Sequence, residues 1–108
     1  MEYTVVLSDQ AKEDIAYIYG YILKVLKSEI NAISVFNRLY SAIGELNYMA
    51  ESYHLYPKEP WYSMGVRYFS VGNYSIFYIV EKTIATVIHV AYGKRDLDKI
   101  LSNYKEKS

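Results

Sequence analysis

Six side chains in this 108-residue sequence have the types needed to hold an anion and move a proton: Lys58, Arg67, His89, Lys94, Arg95 and Tyr104. Four are cations that can stabilise charge developing on a phosphate, while the imidazole and the phenol are candidate proton donors and acceptors. Arg67 stands between Val66 and Tyr68 in a β-like run, where a guanidinium requires an outlet to solvent or an anionic partner. It is the best single candidate, with a structural ion pair as the competing reading. His89 alternates against Ile88 and Val90, so it shares a face with Arg67 if the strands pair suitably. The competing reading is a packed, hydrogen-bonded histidine. Lys94 and Arg95 follow Gly93 at the end of the last β-like run, a location that exposes both and suits phosphate capture.

Other chemistries find little support. His54 and His89 are the only histidines, and neither has a carboxylate pair at ligand spacing, so no metal site is expected. There is no cysteine for a disulfide, thiolate ligand or nucleophile. Gly65, Gly72 and Gly93 are isolated, and none opens a long helix after a strand, so neither a phosphate loop nor a dinucleotide site is predicted and no cofactor is expected.

The elements that must position these residues follow from periodicity. Glu2 to Leu7 is short, β-branched and aromatic, and stops at Ser8-Asp9, which can cap a helix. Ala11, Ile15, Ile18, Ile22 and Val25 or Leu26 then recur at helical steps, leaving Lys12, Glu13, Asp14 and Lys24 to face outward. After Lys27-Ser28-Glu29 a second stripe, Ala32, Phe36, Leu39, Ile43, Leu46 and Ala50, begins behind Asn31 as its cap. The short join makes the two helices an αα-hairpin.

His54 to Trp61 contains two prolines and no periodicity, and reads as a loop whose residues are the least constrained by core packing. Three β-like runs follow, Met64 to Ser70, Tyr74 to Val80 and Ile84 to Tyr92, joined so briefly that they must be antiparallel hairpins. Tyr74 to Val80 is apolar on both faces and reads as a central strand. Leu97, Ile100 and Leu101 suggest a last helical turn or two within Asp96 to Tyr104. The expected fold is α+β, one small domain over residues 1–104 in the order β-α-α-β-β-β, with 105–108 a polar tail.

Composition agrees with a compact chain: apolar residues make up 52% and charged residues 22%. Twelve basic and twelve acidic residues cancel, so any contact with nucleic acid must use a local patch rather than a bulk field. The amino terminus lacks the pattern of a signal peptide and no stretch approaches a membrane span, which predicts a cytoplasmic protein with no membrane partner.

The order and spacing of Leu7-Ser8, Ala11-Lys12-x-Asp14-Ile15-x-x-Ile18, the αα-hairpin, Gly65-x-Arg67, Asn73-Tyr74-x-Ile76-Phe77-Tyr78 and Gly93-Lys94-Arg95-Asp96-Leu97 resemble the RelE/ParE superfamily of bacterial toxins over nearly the whole chain. The resemblance implies a type II toxin neutralised by a cognate antitoxin, acting on one of two targets. ParE-like members inhibit DNA gyrase. RelE-like members are metal-independent endoribonucleases that cut messenger RNA in the ribosome, with lysines and arginines on phosphate and a tyrosine, histidine or carboxylate for proton transfer.

In the nuclease reading Arg67, His89, Arg95 and Tyr104 would be catalytic, with Lys58, Arg67, Lys94 and Arg95 on phosphate or target. The place of the nucleases' catalytic tyrosine matches Leu101, with Tyr104 one turn later, and Lys58 is flanked by Glu59 where nucleases carry several lysines. Arg67 is alternatively an antitoxin contact. Gly65 to Tyr74 resembles the ParE-like form more than the RelE-like form, so gyrase inhibition is preferred over RNA cleavage, with a non-toxic binding module on the same fold as a third reading.

Overall fold

A computed structural model describes residues 2–93 together with Leu97, Lys99 and Ile100. Lys94, Arg95 and Tyr104 lie outside the described residues, as does most of the expected last helix. Its described members Leu97 and Ile100 are helical and pack against the sheet.

The β-branched start forms strand β1 (Thr4–Leu7), and Ser8 caps helix α1 (Asp9–Lys24) by accepting from the Ala11 amide at 3.0 Å. The apolar stripe of α1 buries Ala11, Ile15, Ile18 and Ile22. It ends there, because Val25 and Leu26 belong to the turn and stand 59% and 58% exposed rather than continuing the stripe. Helix α2 (Glu29–Gly44) returns antiparallel, capped by Ser28 rather than by Asn31. Asn31 supplies the amide that the Ser28 hydroxyl accepts, at 3.2 Å. The second stripe is interrupted at Gly44-Glu45, after which Leu46–Met49 forms a separate short helix, α3, that keeps Leu46 buried. Phe36, expected on the buried stripe, lies at its margin with its ring tilted against Tyr40.

Strands β2 (Val66–Val71), β3 (Tyr74–Glu81) and β4 (Ile84–Tyr92) form the expected meander, and β1 joins β4 in parallel to give the sheet order β1-β4-β3-β2. The antiparallel pairs follow from turns too short for a crossover. The chain is therefore an α+β domain with a hairpin of helices on a mainly antiparallel sheet. Among the described residues no helix is long and apolar enough to cross a membrane.

The sheet has two apolar faces. One packs on the helices through Phe69, Ile76, Tyr78, Ala85, Val87 and Val90. The other carries a second cluster of Tyr56, Trp61, Val66, Phe77 and Ala91, and this corrects the reading of residues 54–61 as the least constrained by core packing. Tyr56 and Trp61 plug the outer face, and Trp61–Met64 folds as a one-turn helix, α4, so β2 starts two residues later than its apolar run. The same segment covers half of the β2 edge: the Tyr56 amide donates to the Val66 carbonyl at 2.7 Å and the Tyr68 amide to the His54 carbonyl at 3.2 Å.

Ser8 ties two elements at once, since its hydroxyl also donates to the Ile88 carbonyl at 3.2 Å. Ser8→Ala is expected to cost about 1 kcal/mol, the usual worth of such a cap. An unchanged urea midpoint would show that the cap contributes nothing.

Candidate functional site

β1 stops pairing with β4 at Leu7 opposite Val87, so the last residues of β4 have no strand on that side. Side chains of α1 take its place. One carboxylate oxygen of Asp14 accepts from the Val90 amide at 3.0 Å and faces His89 Nδ1 at 3.1 Å, and the other accepts from Gln10 at 2.9 Å. Asp14 is thus turned onto the sheet edge, not outward as its place beside the apolar stripe suggested. Burial raises its carboxyl pKa, but the hydrogen bonds from His89, Val90 and Gln10 outweigh burial and hold it below the ordinary value. An ionised carboxylate only accepts, so Nδ1 of His89 carries the proton in that contact.

The His89 ring lies stacked beside Trp61, centroids 5.8 Å apart, and the residue is only 8% exposed. It belongs to the outer face, because it pairs with Phe77, which pairs in turn with Tyr68. Arg67 pairs with Tyr78, the next residue of β3, and so lies on the helix-facing side. Cross-strand partners share a face and neighbours along a strand do not. The strands do not pair in the way that would put His89 and Arg67 on one face, and the two lie on opposite faces of the sheet. A register shift between Phe77 and Tyr78 accompanies the change, leaving Ile88 as the extra residue of β4.

Arg67 finds its outlet in the main chain: Nη1 donates to the Tyr53 carbonyl at 2.6 Å. Nearby, the Tyr78 hydroxyl donates to the Ala50 carbonyl at 2.7 Å and the Tyr3 hydroxyl to the Glu51 carboxylate at 2.6 Å. These bonds pin the 50–53 segment to the sheet. Both phenols are pushed above their usual value, Tyr78 by burial and Tyr3 by its bond to Glu51, and the Arg67 charge only partly offsets this. Neither is a phenolate near neutrality, so neither of these two can act as a base beside Arg67.

Lys58 is exposed on the loop ahead of α4, and its carbonyl starts that turn by accepting from Tyr62. Glu59, beside it, is occupied with the hydroxyl and the amide of Ser63, which lower its carboxyl pKa. Lys58 is thus separate from the Arg67 and His89 surroundings in its partners. Among the described residues no group of histidines and carboxylates is placed to hold a metal ion.

Sequence reasoning missed Asp14 and Tyr53 as the partners of His89 and Arg67. Asp14 and Val90 are 76 positions apart, and the Tyr53 contribution is a carbonyl oxygen that any residue type would supply. Neither leaves a local signal.

A family model described as the ParE toxin of a type II toxin–antitoxin system matches residues 5–104. Among solved structures the chain resembles the chromosomal ParDE toxin–antitoxin system of P. aeruginosa, with a TM-score of 0.72 and 18% identity over 86% of this chain and 98% of that one. The toxin–antitoxin complex RelBE2 of Mycobacterium tuberculosis gives a TM-score of 0.59 and 17% identity over 85% and 99%. A conserved hypothetical protein of Helicobacter pylori gives 0.57 and 14% over 90% and 99%. No curated protein matches the chain.

Proposed function

We propose, for a chain that belongs to the ParE toxin family of type II toxin–antitoxin systems, that it arrests growth by binding and inhibiting DNA gyrase rather than by cutting messenger RNA. The observation that carries this reading is the separation of Arg67 from His89. A phosphate cannot reach both when they stand on opposite faces of one sheet, with Arg67 committed to the Tyr53 carbonyl and His89 held by Asp14. General acid–base cleavage needs the cation and the proton carrier at one phosphate. Inhibition by binding needs only a surface.

A cognate antitoxin is the expected second partner. The free end of the helical hairpin exposes Val25, Leu26 and Ile30, the last to 82%, and Tyr17 stands 72% exposed on α1. Apolar surface of this kind is what a neutralising segment would cover. The structural likeness to toxin–antitoxin systems supports that partner.

The test is brief induction of the full chain, followed by parallel measurement of plasmid supercoiling and messenger integrity. Altered supercoiling or gyrase-dependent DNA damage with intact messengers is expected, and co-expression of the antitoxin should restore growth. Rapid messenger cleavage, lost in Arg67→Ala, would replace this reading with the ribosome-dependent nuclease. Normal growth without antitoxin would leave a non-toxic binding module.

A further inference from the structure

One exposed cation is placed as if for an anion that no described residue supplies. Arg38 projects from α2 across the β2–β3 turn, with Nη2 3.0 Å from where a β-carbon on Gly72 would sit. Gly72 has φ +59°, so the turn needs a residue free to adopt the left-handed region, and the missing side chain is what admits the guanidinium. Arg38 makes no ion pair with any described residue. Beside it, Tyr74 and Tyr92 meet across the strand pair with ring centroids 5.1 Å apart, and Tyr92 is half exposed. The Arg38 charge acts on the Tyr74 phenol, although burial dominates and raises it.

Two further features adjoin this cluster. A shallow cleft between α2 and the end of β2 is lined by Asn37, Arg38, Ser41, Ala42, Glu45 and Val71, so hydrogen-bonding side chains continue the surface past the guanidinium. The Gly93 amide donates to the Asn73 carbonyl at 3.1 Å, tying the end of β4 to the same turn.

We propose that Arg38, Tyr74 and Tyr92 form a nucleic-acid contact surface that takes a single strand, with a phosphate on Arg38 and a base against the exposed face of Tyr92. A cation beside Tyr74, whose ring meets the half-exposed Tyr92, matches a ligand in which charge and flat π-surface alternate. An acidic protein segment would satisfy Arg38 but leave the ring unused. In a chain of zero net charge, such a local patch is the means of engaging nucleic acid at all. The surface is distinct from the Arg67 and His89 surroundings and does not depend on which target the toxin inhibits.

The experiment is fluorescence anisotropy of a labelled oligothymidylate titrated with the full chain at several salt concentrations. Wild type is compared with Arg38→Glu, Tyr92→Ala and, as a control of equal charge change on another exposed helix position, Lys12→Glu, each checked for unchanged unfolding. Loss of one stacked base should weaken binding about ten-fold in Tyr92→Ala. Arg38→Glu should weaken it at least as much and flatten the dependence of log K on log salt by about 0.7, one phosphate contact on a single strand. Lys12→Glu should bind like wild type. No binding by wild type, equal loss in Lys12→Glu, or equally good competition by polyglutamate would overturn the proposal, the last in favour of an acidic protein partner.

Discussion

Trp61→Ala is expected to destabilise the domain by about 3–5 kcal/mol, the range for removing a large aromatic from a packed core. Trp61 is fully buried and central to the outer cluster, with ring centroids 4.5 Å from Phe77, 5.6 Å from Tyr56 and 5.8 Å from His89. Domains of this size are commonly stable by only about 5–15 kcal/mol, so the variant should lose a large share of its stability. Urea unfolding of wild type, Trp61→Ala and Trp61→Phe checks this, with the phenylalanine variant falling between. A loss within about 0.5 kcal/mol, as for an ordinary surface site, would mean that the outer cluster is not a core.

That expectation has no basis in the sequence pattern, and the reason is physical. Periodicity reports burial where one face of a regular element is covered, as along Ala11, Ile15, Ile18 and Ile22. Tyr56 and Trp61 instead enter the core from either side of the Pro57 to Pro60 segment, Tyr56 from a loop and Trp61 from the start of a one-turn helix, where no repeat marks which side chain points inward. The apolar character of β3 on both faces did announce a second covered face, because a strand with only one buried face would alternate. What covers that face was not announced. The elements and their order were legible because short turns and long apolar stripes leave few topologies open.

The candidate site was less legible for a different reason. Alternation within β4 placed His89 opposite Val90 correctly, but the irregularity at Ile88 puts that residue on the outer cluster beside His89, and relating His89 to Arg67 required the register of two strand pairings. A one-residue shift exchanges the faces, and nothing local to either residue records it. Arg38 was overlooked because an arginine on an exposed helix face is ordinary in sequence. Its significance comes from Gly72, which turns beneath it from a different element.

The second large effect concerns the place where α1 substitutes for a strand. Asp14→Ala removes the acceptor of the Val90 amide and the His89 Nδ1 proton together, and leaves donors at a partly buried edge without their carboxylate. Hydrogen bonds to charged groups are worth about 1.5–3 kcal/mol, so a loss of about 2–3 kcal/mol is expected, with Asp14→Asn intermediate because an amide oxygen still accepts. The effect should also depend on pH. The folded carboxyl titrates below its unfolded value, so its contribution is present above about pH 4, the ordinary aspartate range, and is lost as pH falls through the folded value. Measured by urea midpoints, the gap between wild type and Asp14→Asn should be widest near neutrality and shrink as the solution is acidified below that range. A gap that stays constant from neutral to acid pH would mean that the carboxylate charge does not hold the end of β4, and that the contact is one of shape alone.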